Sequence, residues 1–156
     1  LHSITIDTVP GFKYGYSNID TELIAHILEN VYGETYEDLL KKYIWDVAGM
    51  PDTRINLTEE QRSRLANGYG ETNKLVPHMA NSLWGAAGGL KSTVPDMIRY
   101  MKFQLDESNP LIRKSHEVIY DNKGMKLAYY CLFIPKNKEY ITDITAEPLV
   151  CKTGFL

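Results

Sequence analysis

The stretch PGFKYGYSNIDTELIAHILENVYGETYEDLLKKYI, residues 10–44, decides the fold class. From Ile19 onward, Ile19, Leu23, Ile24, Ile27, Leu28 and Val31 recur at helical spacing, and Gly33 supplies a stop. These positions predict an amphipathic helix with its apolar stripe turned to a core. Asn18, directly before the run, is a preferred residue for the N-cap. Thr35 with Asp38 three residues on predicts the start of a second helix. Tyr36, Leu39, Leu40, Tyr43, Ile44 and Val47 would fill its buried face, and Gly49 ends it. Two helices so closely joined are expected to pack as a helical hairpin.

Working outward, GMPDTRIN is a turn-rich connection, and Thr58 with Gln61 has the pattern of a capping box for a short helix to about Ala66. Residues 67–92 hold five glycines and little periodicity, which predicts a long irregular connection. Thr93 is placed to cap a further helix with Pro95 in its first turn and Val94, Met97, Ile98, Met101 and Leu105 as its buried stripe. A shorter helix is expected from Pro110. After Gly124 the runs MKLAYYCLFI, EYITDI and EPLVCKTG are aromatic or β-branched and separated by PKNK and TAE, the pattern of an antiparallel meander. Helices first and strands last predict an α+β arrangement. The expectation is one partial domain over 1–156, mainly helical over 1–122 with a β segment over 123–156.

Composition narrows the function. The chain has 156 residues, is 44% hydrophobic and carries a net charge of −3, with no basic block or basic stripe, so nucleic acid is not an expected partner. No apolar run has the length of a membrane span, and the first residues lack the pattern of a signal peptide. Cys131 and Cys151 stand far apart without a CxxC or a histidine at ligand spacing. His2, His26, His78 and His116 are isolated, and there is no HExxH, phosphate loop, GxGxxG or GxSxG. Neither metal nor cofactor is expected.

Two short motifs remain: Tyr16-Ser17-Asn18 at the entrance to the first helix and Lys152-Thr153-Gly154 on the last predicted strand. Taken alone, the first is a turn with a helix cap as readily as a site. Lys-Thr-Gly belongs to the signature set of β-lactamases and penicillin-binding proteins, along with Ser-x-x-Lys and Ser-Asp-Asn. With Tyr in place of Ser in the middle motif, the chain resembles the class C β-lactamase and penicillin-binding-protein-like serine hydrolases. GMPDT and AAGGLKSTVPDMIRYM are similar to further segments of that family. The resemblance covers about residues 9–105, with Val47-Ala48 departing from the family's Pro-Leu. It implies the mainly helical domain of a β-lactamase-like fold, joined to a short C-terminal antiparallel β segment.

The resemblance further implies acyl transfer on a small-molecule or peptide acyl substrate, such as a β-lactam or a D-Ala-D-Ala peptide, in an exported parent protein, periplasmic or at the cell surface. Tyr16, Asn18 and Lys152 are the implied catalytic residues, and Thr153 and Gly154 the implied substrate-binding ones. A free phenol ionises near about pH 10, so Tyr16 suits a base beside ammonium groups such as Lys152, or a neutral relay to the leaving group. The Asn18 amide suits a substrate amide, while Lys152 and Thr153 suit a carboxylate and Gly154 lets substrate lie close to the strand. None of the seven serines has Lys three residues later. The chain is therefore expected to be an excised segment, inactive alone, whose Ser-x-x-Lys nucleophile lies upstream. A binding module derived from the same fold, without catalysis, is the alternative. Self-association through an exposed strand edge is also expected.

Overall fold

The computed structural model describes residues 9, 12, 15–78, 84–122, 125–128 and 133–134. Helix α1 spans Asn18–Tyr32 and ends at Gly33, whose φ of 70° is the left-handed conformation that glycine adopts without a Cβ penalty. Helix α2, Tyr36–Leu40, starts where Thr35 accepts the Asp38 N–H, and it packs against α1 as the expected hairpin. The second helix is not uniform. Lys41–Trp45 forms a π-helical turn, with the Asp46 N–H reaching back five residues to the Lys41 carbonyl, before α3, Asp46–Ala48, and Gly49 at φ 72°.

That wide turn changes which side chains enter the core. Trp45, only 2% exposed, joins Met50 and Ile55 at its centre, with Tyr36, Leu40, Ile44, Ala48, Leu90 and Tyr100 packed around them. Tyr43 and Val47, expected on the buried face, are exposed because the extra residue shifts the helical phase past them. The Arg54 guanidinium lies 5.7 Å from the Trp45 ring centroid and closes the core on that side.

Helix α4, Glu59–Ser63, has the full capping box between Thr58 and Gln61 and stops short of Ala66. Its neighbour Arg64 pairs with Asp52 at 2.6 Å, and this guanidinium holds the Asp52 carboxyl below the usual aspartate range. The region read as an irregular connection contains a two-residue hairpin, β1 Gly68–Tyr69 with β2 Leu75–Val76, turned over Asn73 at φ 60°.

Helix α5, Val94–Gln104, is capped by Thr93 as expected, but its rotation differs from the expected one. Val94, Ile98, Met101 and Leu105 are exposed and Met97 is half-buried, whereas Asp96 and Gln104 are buried. The physical reason is Asp96. At 1% exposure its carboxylate accepts the Asp52 N–H at 2.8 Å, the Thr53 hydroxyl at 2.9 Å and the Arg99 guanidinium at 2.7 Å. A desolvated carboxylate must be satisfied, so this face turns inward and the apolar stripe turns out. The fully buried Thr53 hydroxyl also lies 2.8 Å from Ser92 Oγ, and residues 54 and 91 exchange backbone hydrogen bonds. The GMPDT turn and the KSTVPD segment are thus sewn together. Lys91 reaches the Ile55 carbonyl at 2.9 Å, and burial pushes its ammonium pKa down.

Helix α6, Pro110–Ser115, is capped by Asn109. Three antiparallel strands follow in the order β3 Val118–Asn122, β4 Met125–Ala128 and β5 Phe133–Ile134. The pairings Asp121 with Lys126 and Leu127 with Phe133 set the register, and a bulge lies between Val118 and Tyr120. The meander therefore begins before Gly124, and the run 125–134 divides into two strands. The later runs EYITDI and EPLVCKTG lie outside the described residues. Among the described residues no helix is long and apolar enough to cross a membrane. Together the elements form an α+β fold, about half helical with a small antiparallel sheet.

Candidate active site

The entrance to α1 carries the candidate site. Ser17, in extended conformation at φ −148°, accepts the Asp20 N–H on its side chain at 3.1 Å and so caps the helix. This corrects the assignment of the cap to Asn18, which is instead the first helical residue. Both residue types cap well; Ser17 keeps extended backbone and takes the cap position, while Asn18 is already helical. The Tyr16 hydroxyl donates to Asn18 Oδ1 at 2.8 Å. Both residues are exposed, Tyr16 at 58%. With Oδ1 occupied by the phenol, the donors of the Asn18 amide are what suit a substrate carbonyl. Tyr16 and Asn18 are thus brought together, while Lys152, Thr153 and Gly154 lie outside the described residues.

Helix α1 is seated on the molecule by its polar side. Ala25 is its one buried residue among those described, and of the expected stripe Leu28 is half-buried while Ile19, Leu23, Ile24, Ile27 and Val31 are exposed in this chain. Glu22 accepts the backbone N–H groups of Ala86 and Ala87 at 2.9 and 2.8 Å, and Glu29 accepts that of Tyr36 at 2.9 Å. Bonds from a carboxylate to backbone donors are strong and directional, and they fix this face of the helix to the segments beside it. Sequence reasoning passed over Glu22. The available signal was its spacing: Glu22, His26 and Glu29 stand at i, i+4 and i+7 and form a second stripe beside the apolar one.

A cleft of about 470 Å³ lies between α1, the start of α2, residues 55–56 and residues 85–86. Glu22, Glu29 and Glu37 line it, but each carboxylate already holds backbone: Glu37 accepts the N–H groups of Ile55 and Asn56 at 2.8 and 3.0 Å. These acids are structural, and neither Tyr16 nor Asn18 lines the cleft. Among the described residues no group of His, Cys, Asp and Glu is arranged to hold a metal ion.

Comparison with known proteins agrees with this architecture. A β-lactamase of Pseudomonas fluorescens is 29% identical over 122 residues, which cover 74% of this chain and 34% of that protein. The D-alanyl-D-alanine-carboxypeptidase/endopeptidase AmpH of Escherichia coli (strain K12) is 30% identical over 105 residues, covering 65% of this chain and 26% of that protein. Among solved structures, the D-alanine carboxypeptidase AmpC from Burkholderia cenocepacia superposes with a TM-score of 0.71 at 20% identity, covering 80% of this chain and 37% of that one. The β-lactamase/D-alanine carboxypeptidase from Pseudomonas syringae gives 0.70 at 19% identity, covering 80% and 36%. At such identities the structural likeness speaks for the fold, which is that of the β-lactamases and transpeptidases. The chain spans between about a quarter and somewhat over a third of the length of these relatives. A family profile described as Beta-lactamase matches residues 1–129, a span that takes in Tyr16, Asn18 and both tied segments, and the chain therefore belongs to the Beta-lactamase family of serine hydrolases.

Proposed function

We propose that this chain supplies the Tyr-x-Asn wall of a serine hydrolase that acts by acyl transfer on a β-lactam, a D-Ala-D-Ala peptide or a related acyl compound. The observation that carries the reading is the exposed hydrogen bond from Tyr16 to Asn18 at a helix entrance, inside the span that matches the family. An acyl-transfer site needs a nucleophile, a group to move its proton and donors that hold the substrate. In this reading Tyr16 moves the proton, either as a phenolate or as a relay to the leaving group, and the Asn18 amide holds the substrate carbonyl. Lys152 with Thr153 takes a substrate carboxylate. Gly154 leaves room for substrate against the strand. The serine and its lysine come from a Ser-x-x-Lys about 60–110 residues upstream of Tyr16. The same reading carries an exported location, periplasmic or at the cell surface.

The nucleophile provides the test. Incubated with a fluorescent penicillin and analysed by mass spectrometry, residues 1–156 alone are expected to show no covalent adduct, because no serine among them has a lysine at the required spacing. The full-length protein is expected to gain one penicilloyl group on the upstream serine. An adduct on any serine of this chain overturns the proposed division of labour. A reading frame without Ser-x-x-Lys ahead of Tyr16 replaces catalysis with a ligand- or partner-binding role for the same fold.

A further inference from the structure

We infer that Glu22 is a positioning residue, which holds the Tyr16–Asn18 pair by clamping the first turns of α1 to the turn over residues 85–89; the inference rests on the function proposed above. Glu22 stands four residues after Asn18, so the two side chains share one helix face a single turn apart. One carboxylate oxygen, Oε1, accepts both the Ala86 and the Ala87 N–H, 64 and 65 residues away in sequence. Two converging donors fix that oxygen in direction as well as distance.

The anchor is itself tight. Gly89 donates its N–H to the Gly85 carbonyl at 3.2 Å, and a Cβ added at Gly89 would come within 2.7 Å of that oxygen, so the turn is closed and admits only glycine there. Ala86 is buried. On the helix side Ala25 is the one buried residue among those described, and Ile19, Leu23 and Ile24 are exposed in this chain, so Glu22 is the polar contact nearest to Asn18 that ties the helix to a distant segment. The next carboxylate tether, Glu29 to Tyr36, lies seven residues on, about 10 Å along the axis, and holds the opposite end. Without Glu22 the end that carries Tyr16 and Asn18 loses its bonds to residues 86 and 87 and can pivot about the contacts that remain, the buried Ala25 and the Glu29 tether. Acyl transfer demands placement to well under an ångström, so a pivot at this end reaches the chemistry although Glu22 never touches substrate.

In the full-length enzyme, Glu22→Ala is expected to lower kcat about ten- to a hundredfold with KM changed less than about threefold. Glu22→Gln is expected to stay within about threefold of the parent, because its amide oxygen accepts the same two N–H groups. Should Glu22→Ala not fold, Glu22→Asp retains the charge, shortens the reach and is expected to show the same loss. A double-mutant cycle with Tyr16→Phe separates positioning from general destabilisation: the Glu22 effect on kcat shrinks at least severalfold in the Tyr16→Phe background if Glu22 acts through the Tyr16–Asn18 pair. Losses that multiply, a Glu22→Gln variant as poor as Glu22→Ala, or an undiminished kcat beside a crippled Tyr16→Phe enzyme each overturn the positioning role alone. A Tyr16→Phe enzyme with full turnover overturns the reading of the site, and this inference with it.

Discussion

Tyr16→Phe is expected to lower kcat of the full-length enzyme on a β-lactam or D-Ala-D-Ala peptide by about 10²–10⁴-fold, the usual worth of a positioned proton-transfer group. KM should change by less than about threefold, because the lost hydroxyl serves the transition state more than the bound ground state. The substitution removes two things at once: the proton carried by the phenol and the hydrogen bond that orients Asn18 at 2.8 Å. Its effect on folding should be slight. The Tyr16 bond is local, so urea denaturation should place the variant within about 0.5 kcal/mol of the parent. Steady-state kinetics and denaturation on the same preparation therefore isolate the chemistry. Equal turnover in the two proteins would make Tyr16 a surface residue that merely happens to adjoin a helix.

The opposite profile is expected at Asp96. Its carboxylate, 1% exposed, answers the Asp52 N–H, the Thr53 hydroxyl and the Arg99 guanidinium together. Asp96→Ala strands all three donors, two of them drawn from the GMPDT turn, and is expected to cost about 3–5 kcal/mol of stability. Asp96→Asn retains one acceptor but sets an NH₂ group against donors, and is expected to fall between the parent and alanine. Urea midpoints measure both. An alanine variant as stable as the parent would show that the turn and α5 are held by the Trp45–Met50–Ile55 core without this carboxylate.

The contrast between these two sites shows what local sequence encodes. Thr35, Thr58 and Thr93 begin their helices, and Gly33 and Gly49 end theirs, as the sequence predicts, because a cap is a contract between residues three or four apart. Tyr16 and Asn18 stood out through the resemblance of the YSN motif, and the hydrogen bond between them, which the sequence did not announce, forms within three residues. Helix rotation was not legible in the same way. The apolar stripes of α1 and α5 both suggested an inward face, yet in this chain most of their residues are exposed, and the faces tied to the rest of it carry carboxylates bonded to backbone far along the sequence: Glu22 to residues 86–87, Asp96 to residue 52. Periodicity reports which residues share a face, and long-range hydrogen bonds decide where that face points. The Ser17 cap was missed for a smaller reason, since two neighbouring residues are both good caps and their order in the sequence does not say at which of them the helical backbone begins.

The π-helical turn over Lys41–Trp45 has a bearing on how this chain can vary in length. Such a turn is an α-helix that has absorbed one additional residue while the helical segments on either side keep their bonding. It is therefore a place where a single codon can be lost at little cost: the backbone relaxes to ordinary four-residue spacing, and Leu40 and Trp45 still face Met50 and Ile55. Elsewhere in the hairpin a one-residue deletion would rotate everything beyond it by about 100° and swing Trp45 out of the core. Among members of the family, gaps that separate close homologues within this helix should gather at these five positions, leaving its two flanks in register.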